Sequence, residues 1–288
     1  MSRAVTVVRP EDLVELAALL RGGAAFLPVA GGTDLLIEGR VLPQGPFLDL
    51  SRVAGMAGIA MDTGARVVIG AATRVAAIAG CAELAGLWPM LTQAAAACGA
   101  AQIRNRATIG GNIANAAPAA DLIPPLMLAG ASLRLIGGDG VPGDCPIDAF
   151  RPGSGAILTH VELSWPKAGT RSAFVKLGLR DELSIARLNL AGTARVEDGA
   201  LVDLHLAAGA LGPRPIRLAQ AAAALEGRIP DTAALAGFVD ALSGEVETAI
   251  AGRASAQWKS RAIRGLGLDL IAGLMGGDRR EPPFCEVL

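Results

Sequence analysis

The apolar and polar positions in the first part of the chain predict a mixture of strands and helices. Short β-type runs predict strands at 4–8, 25–30, 47–51, 65–71, 132–138 and 156–165. Apolar residues at helical spacing predict helices in EDLVELAALLRGG, TRVAAIAG and LWPMLTQAAAACG. The order of these elements indicates a mixed α/β region.

The pattern changes after a segment that contains Pro and Gly, WPKAGT at 165–170, which predicts a domain boundary. SAFVKLGLR (172–180) predicts a strand, and 188–211 predicts a hairpin that turns at Glu197-Asp198-Gly199. Three helices are predicted in RLAQAAAALEG, DTAALAGFVDALSGEVE and SAQWKSRAIRGLGLDLIAGLM. The second part is therefore expected to be a small sheet followed by helices.

Composition and charge exclude several classes of protein. The chain has 288 residues, of which 52% are hydrophobic and 18% charged, so it is long and apolar enough to bury a core. Its net charge of −1, without a Lys/Arg run, argues against a nucleic-acid partner. No apolar run is suited to a signal peptide or a membrane span. We expect a cytoplasmic protein that does not bind membranes.

The residues that usually carry metal or acid–base chemistry are scarce. The four cysteines lie far apart without a C-x-x-C pair, which argues against a metal or iron–sulfur centre on this chain. The chain has no Tyr and only two histidines, His160 and His205, which are interpreted as surface or hydrogen-bonded residues. We therefore predict no catalytic side chain and no metal ligand.

Two glycine pairs are the main candidates for ligand binding. One lies in LPVAGGTDLL (27–36) and the other in ATIGGNIANAAPAAD (107–121). Glycine permits positive φ and close approach of an anion, and successive N–H groups in such a turn form an anion-binding nest. Each pair taken alone is also consistent with a simple strand-to-helix turn. Neither fits the Rossmann or P-loop pattern.

Four motifs, in order, carry a resemblance to a known family: LPVAGGTDLLIE, AAQIRNRATIGGNIANAAPAAD, VKLGLRDELSIARLNLAGTARV and GALGPRPIRLAQA. The chain resembles the FAD-binding subunit of the xanthine dehydrogenase family of molybdenum hydroxylases over about residues 4–275, above all the bacterial separate-subunit xanthine dehydrogenases. The resemblance implies an α+β protein with a vanillyl-alcohol-oxidase (PCMH) type FAD domain at 1–168. This domain has two α/β subdomains, at about 1–55 and 56–168. A smaller α+β domain like that of the CO dehydrogenase flavoprotein is implied at 169–288.

The resemblance also implies which residues bind the cofactor. They are Pro28, Val29, Ala30, Gly31, Gly32, Thr33, Asp34, Thr108, Ile109, Gly110, Gly111, Asn112, Asn115, Asp121, Leu158 and Lys176. The two glycine segments would hold the diphosphate from opposite sides, with Thr33, Thr108 and Asn112 as donors. Asn115 and Asp121 would contact the polar chain or the adenosine. Leu158 and Lys176 would lie near the flavin ring, where a lysine stabilises the reduced form; the alternative for Lys176 is an exposed strand lysine.

The function implied is electron transfer within a larger complex. A large subunit would carry molybdopterin and a small subunit would carry [2Fe-2S] clusters. Electrons would reach FAD on this chain and leave to NAD⁺ or another acceptor. No histidine lies near either glycine pair, so FAD is expected to be non-covalent.

The alternatives are a carbon monoxide, nicotinate or aromatic-CoA dehydrogenase subunit and, more remotely, a scaffold without flavin. Arg104 and Arg106 flank the second glycine motif; one of them could pair with a phosphate, and a solvated or subunit-facing role is left open for both.

Overall fold

The computed structural model describes residues 6–37, 41, 44–62, 65–180, 184–278, 280 and 283–287, so positions 4–5 of the first predicted strand lie outside it. The strands are β1 (Val7–Val8), β2 (Leu27–Val29), β3 (Phe47–Asp49), β4 (Ile59–Met61), β5 (Arg66–Gly70), β6 (Ser132–Ile136), β7 (Pro142–Pro146), β8 (Ile157–Ser164), β9 (Arg171–Leu177), β10 (Leu188–Glu197), β11 (Ala200–Gly209) and β12 (Ile216–Arg217).

The helices are α1 (Leu13–Arg21), α2 (Val75–Ala79), α3 (Ala82–Leu87), α4 (Pro89–Ala97), α5 (Ala101–Arg104), α6 (Ile109–Asn115), α7 (Ile123–Leu128), α8 (Ala219–Leu225), α9 (Thr232–Ala249) and α10 (Ala256–Met275), and a 3₁₀ turn lies at Phe284–Glu286. Among the described residues, no helix combines the length and apolar character needed to cross a bilayer.

The contacts within the chain define two compact units that interleave along the sequence. Unit 1 comprises the chain up to Gly80 together with Ala100–Ala116 and Gly130–Trp165. Unit 2 comprises Cys81–Gly99, Ala117–Ala129 and the chain from Pro166 onward. This grouping follows contacts; the linear division into 1–168 and 169–288, with subdomains meeting near residue 55, stays a prediction.

Unit 1 is built on two sheets. The first is a parallel sheet of three short strands in the order β1-β3-β2, in which Phe47 is in register with Val7 on one side and Leu27 on the other. The second is an antiparallel sheet in the order β4-β5-β8-β6-β7, whose core is supplied by buried residues such as Val67 and Val161. The end of β2 at Val29 leads directly into the first glycine pair, so the parallel sheet positions that turn.

Unit 2 is an antiparallel sheet in the order β12-β11-β10-β9, flanked by helices. The predicted hairpin at 188–211 is confirmed: Glu197 pairs with Ala200, and the two loop residues Asp198 and Gly199 have φ of 51° and 82°. Positive φ at both loop positions matches the right-handed twist of the strands. Helix α10 contacts β9 and β10 on one face, where a Cβ on Gly192 would meet Leu270 at 2.8 Å.

The other face of this sheet carries α4, against β9, and α7, against β10 and β11. Side chains alternate between the two faces of a strand. The predicted helices α8, α9 and α10 are confirmed close to their expected ends. Helix α7 has Pro124 and Pro125 in its first turn, where the missing N–H groups are tolerated.

Candidate functional site

The first glycine turn, defined as Ala30–Thr33, has the backbone of an anion-binding nest. Gly32 has φ of +69°, in the left-handed region, and Gly32 O accepts a hydrogen bond from Leu36 N at 2.9 Å. Within the described part of the chain, none of the four N–H groups of Ala30–Thr33 donates a hydrogen bond. Consecutive unpartnered donors at a left-handed residue are the arrangement that binds phosphate oxygens.

The second glycine pair has a different backbone, because it lies inside the first turn of α6. The four N–H groups of Ile109–Asn112 donate hydrogen bonds of 2.9–3.1 Å to Thr73 O, Ala71 O, Thr108 Oγ1 and Thr108 O. Thr108 is the N-cap, as expected for a Thr just before a helix. The nest expected at both pairs is therefore found only at the first. The backbone of the second pair is a strand-to-helix turn.

The two glycine segments are in direct contact within unit 1. A Cβ on Gly31 would lie 2.2 Å from Arg106 O, so only glycine allows this approach. Arg106 Nε donates to Gly31 O at 3.4 Å, and the Arg74 side chain donates to Arg106 O. Arg74 also forms an isolated β-bridge with Thr108. The contact brings the guanidinium of Arg106 beside the first glycine turn.

Asn112 supplies the strongest sign of a missing partner in the second segment. Its Oδ1 atom is buried and accepts no hydrogen bond from the residues that the structure describes. An unpaired buried acceptor costs about 1–3 kcal/mol, so a ligand that supplies a donor there would be stabilised. A phosphate oxygen is an acceptor, whereas a hydroxyl of a ribityl chain or ribose is a donor. Oδ1 of Asn112 therefore suits a hydroxyl better than the phosphate contact expected from the sequence.

Asp121 and Lys176 form a buried ion pair within unit 2. Lys176 Nζ lies 2.6 Å from Asp121 Oδ2, and the two side chains are 10% and 6% exposed. Lys176 Nζ also donates to Ala97 O at 2.8 Å. The alternative interpretation of Lys176 as an exposed strand lysine is therefore wrong.

Asn189, which the sequence analysis did not single out, holds the other side of Asp121. Its Nδ2 donates to Asp121 Oδ1 at 3.0 Å. Burial raises the pKa of the Asp121 carboxyl above its ordinary value, while Lys176 and Asn189 act in the opposite direction. The carboxylate thus has a partner on each oxygen in a nearly dry environment.

The remaining predicted residues lie at defined places in the two units. Asn115 is exposed at the last position of α6, and Leu158 is 6% exposed in β8. The residues from Pro28 to Asp34, Thr108 to Asn112, Asn115 and Leu158 belong to unit 1, and Asp121 and Lys176 belong to unit 2. In the described ranges no group of three or more His, Cys, Asp or Glu is arranged to hold a metal ion. The assignment of these residues to a cofactor stays a prediction.

Comparison with known proteins identifies the two parts of the chain. Residues 3–163 match the family model described as the FAD binding domain in molybdopterin dehydrogenase. Residues 173–272 match the CO dehydrogenase flavoprotein C-terminal domain. The xanthine dehydrogenase FAD-binding subunit of Escherichia coli O157:H7 is 32% identical over 219 residues, which cover 73% of this chain and 75% of that protein.

Two further relatives extend the likeness to almost the full length. The nicotinate dehydrogenase FAD-subunit of Eubacterium barkeri is 27% identical and covers 93% of this chain and 96% of its own. A solved structure of CO dehydrogenase from Oligotropha carboxidovorans superposes with a TM-score of 0.84 at 24% identity, over 96% of this chain and 99% of that one, which confirms the fold. The chain therefore belongs to the family of FAD-binding subunits of molybdopterin dehydrogenases, and it is an oxidoreductase component built from these two domains.

Proposed function

We propose that the chain binds FAD non-covalently and holds its diphosphate on the first glycine turn. The observation that carries this proposal is the row of four N–H groups at Ala30–Thr33 that have no partner among the described residues. The guanidinium of Arg106 adds a positive charge beside the turn, since its Nε donates to Gly31 O. N–H dipoles and a cation together favour a dianionic group at this place.

The second glycine segment contributes in a different way in this proposal. The N–H groups of Ile109–Asn112 already have acceptors, so this segment offers no free backbone donor to the diphosphate. The backbone just before it, at Arg106 and Ala107, packs against Gly31. Asn112 Oδ1 accepts a hydrogen bond from a hydroxyl of the cofactor. We assign Asn115 and Asp121 to the polar chain or adenosine, and Leu158 and Lys176 to the surroundings of the flavin ring, on the resemblance to the family.

The chain's part in the reaction is to bind and orient the cofactor. When bound, flavin accepts electrons one at a time and can pass on a pair as hydride. None of the assigned side chains is given a role as an acid or base. Lys176 places a cation in a buried position, where its charge is less screened than it would be in water.

The complex proposed around the chain is of the xanthine dehydrogenase type. Its large subunit would carry molybdopterin, its small subunit would carry [2Fe-2S] clusters, and NAD⁺ would accept the electrons. The similarity to the xanthine dehydrogenase FAD-binding subunit supports this choice. A nicotinate dehydrogenase complex is the second candidate, because that FAD-subunit matches nearly the whole chain at lower identity.

Flavin binding is tested with the purified chain and two glycine variants. We expect the wild-type chain to take up FAD, to show the flavin absorbance bands, and to release all flavin on acid precipitation. Gly32→Ala should weaken FAD binding and leave riboflavin binding nearly unchanged, since riboflavin has no phosphate. Gly130→Ala is the matched control, because Gly130 also has a left-handed φ, of 64°, lies in unit 1 outside the predicted site, and has no atom within 4 Å of an added Cβ. A colourless chain that binds no added FAD would refute the proposal.

The identity of the complex requires a second experiment. The chain is tagged in its native host, the copurifying subunits are identified, and the complex is assayed with hypoxanthine and NAD⁺, with nicotinate and with carbon monoxide. Turnover of hypoxanthine with reduction of NAD⁺ would support the xanthine dehydrogenase assignment. Turnover of nicotinate alone would replace it with the second candidate.

A further inference from the structure

Asn189 lies at the centre of a row of residues that crosses the sheet of unit 2. In the register of the strands it is opposite Lys176 of β9 on one side and Gly209 of β11 on the other. The three positions therefore lie side by side. Asn189 is completely buried, in a strand that is buried on both faces and whose neighbouring positions, such as Leu190 and Ala191, are apolar. A fully buried amide in such a strand needs hydrogen-bond partners to offset the cost of removing it from water.

The Asn189 amide uses both of its ends. Nδ2 donates to Asp121 Oδ1 at 3.0 Å, and it lies 3.5 Å from Ala120 O. Oδ1 accepts from Gly209 N at 2.8 Å. The backbone of β11 thus fixes the orientation of the amide, and the hydrogen bond from Nδ2 in turn orients the carboxylate of Asp121.

Gly209 is the residue that makes room for this amide. A Cβ at Gly209 would lie 2.3 Å from Asn189 Oδ1, a distance at which one of the two groups must move. Gly209 is the last residue of β11, and a glycine in a strand often marks a position where another group approaches the backbone closely. The missing Cβ of Gly209 leaves the space that the side chain of Asn189 occupies, so the two residues act together.

We propose that Asn189 is a positioning residue for Lys176: it holds one oxygen of Asp121 so that the other oxygen faces the lysine ammonium. The inference rests on the proposed function, in which Lys176 lies near the flavin. The carboxylate of Asp121 can rotate about its Cβ–Cγ bond, and two partners on two oxygens stop that rotation. Lys176 is the charged group that faces Asp121 among the described residues. Without Asn189, the partner of Lys176 is no longer held in one orientation.

The experiment compares Asn189→Ala and Gly209→Ala with a control on the same strand. Thr193 lies on the same face of β10 and is 5% exposed, and the side-chain hydrogen bonds to Asp121 come from Lys176 and Asn189, so Thr193→Val tests the general effect of a change in this sheet. Far-UV circular dichroism establishes that each variant is folded. Gly209→Ala leaves Asn189 in the chain and only displaces it, so it tests the proposal if Asn189→Ala does not fold.

The first measurement is the NMR titration of the Asp121 carboxyl carbon in the chain without FAD. Loss of a hydrogen bond to the charged form should raise its titration midpoint by about one pH unit or more. We expect this rise in Asn189→Ala and, to a smaller extent, in Gly209→Ala, but not in Thr193→Val. An unchanged midpoint in Asn189→Ala would overturn the proposal, whatever FAD does.

The second measurement is the reduction midpoint potential of bound FAD, with Lys176→Met as the reference. The potential should become more negative in Lys176→Met and should move in the same direction in Asn189→Ala. If Lys176→Met shifts the potential and Asn189→Ala does not, the positioning role is refuted and the proposed function stands. If neither variant shifts it, the place assigned to Lys176 beside the flavin is wrong, and the link from Asn189 to the flavin is wrong with it.

Discussion

The buried pair of Asp121 and Lys176 makes a prediction about stability that needs no cofactor. Lys176→Met keeps the length of the side chain and removes its charge. Among the described residues, Asn189 then remains as the one side chain that donates a hydrogen bond to Asp121, whose own side chain is 6% exposed. An ionised carboxylate without a counter-charge in such a place costs several kcal/mol, so Asp121 is expected to take up a proton instead.

The size of the effect follows from the free energy of protonation. The carboxyl starts from an ordinary pKa of 3.8, and burial already raises it in the wild-type chain. At about 1.4 kcal/mol per pH unit, keeping an Asp protonated costs at most about 4.5 kcal/mol at pH 7 and at most about 1.7 kcal/mol at pH 5. A carboxyl whose folded pKa is raised contributes stability at low pH, and this contribution is lost as the pH rises. The penalty of Lys176→Met should therefore grow between pH 5 and pH 7.

The assay is urea unfolding of the wild-type chain and the Lys176→Met variant at several values of pH from 5 to 7.5. The double variant Asp121→Asn/Lys176→Met is the control, since it has no charge to bury and should lose the pH-dependent part of the penalty. A penalty that is the same at pH 5 and pH 7 would show that protonation of Asp121 is not its cause. So would a double variant less stable than Lys176→Met at pH 7.

Three further predictions concern single residues. Gly31→Ala should lower the free energy of unfolding by about 1–3 kcal/mol, because the new Cβ would lie 2.2 Å from Arg106 O. Gly111→Ala should change the free energy of unfolding by less than about 0.5 kcal/mol or raise it. Chemical denaturation measures both variants. Asn112→Leu should stabilise the FAD-free chain by about 1 kcal/mol, because it removes the unpaired Oδ1, and should weaken FAD binding about tenfold. The melting temperature of the FAD-free chain should therefore rise, while the dissociation constant for FAD, measured by titration, should also rise. Asp231→Ala should cost about 1 kcal/mol in urea unfolding, because the Asp231 side chain caps α9 by accepting from Ala234 N at 2.7 Å.

The long periodic segments of the chain were predictable because their patterns are local. The hairpin β10–β11 combines alternating apolar residues with an Asp-Gly turn, and α9 and α10 repeat apolar residues at helical spacing. β7 was missed, since its segment PGDCP is bounded by prolines and almost fully exposed, so it has no apolar pattern to read. β4, of only three residues, has too short a pattern to be recognised.

The candidate site was predictable in its residue types but not in its hydrogen bonds. The sequence predicts the same nest at both glycine pairs. The N–H groups of Ile109–Asn112 are in fact bonded to Thr108 and to backbone carbonyls from a distant part of the chain, which no local pattern reveals. α6 was missed for the same reason, because the letters IGGN suggest a turn until Thr108 is known to cap them.

Asn189 was missed because its role depends on register across three strands. A signal was present, since LNLAGTA places one amide in a run of otherwise small or apolar residues. Its meaning depends on the register that puts Lys176 and Gly209 beside it. It also depends on Asp121, which is 68 residues away in the sequence and cannot be found from the local pattern.

The interleaving of the two units has a consequence for how the protein is made. Helices α4 and α7 are synthesised before the strands β9–β11 that they contact, and residues such as Met90, Leu91 and Leu126 are buried in the finished fold. A nascent chain that has reached Trp165 can complete unit 1, while these apolar side chains still lack the sheet that covers them. Such surfaces attract chaperones or other unfinished chains. Emergence of the strands β9–β11 from the ribosome, rather than completion of unit 1, is therefore the step that ends this exposure.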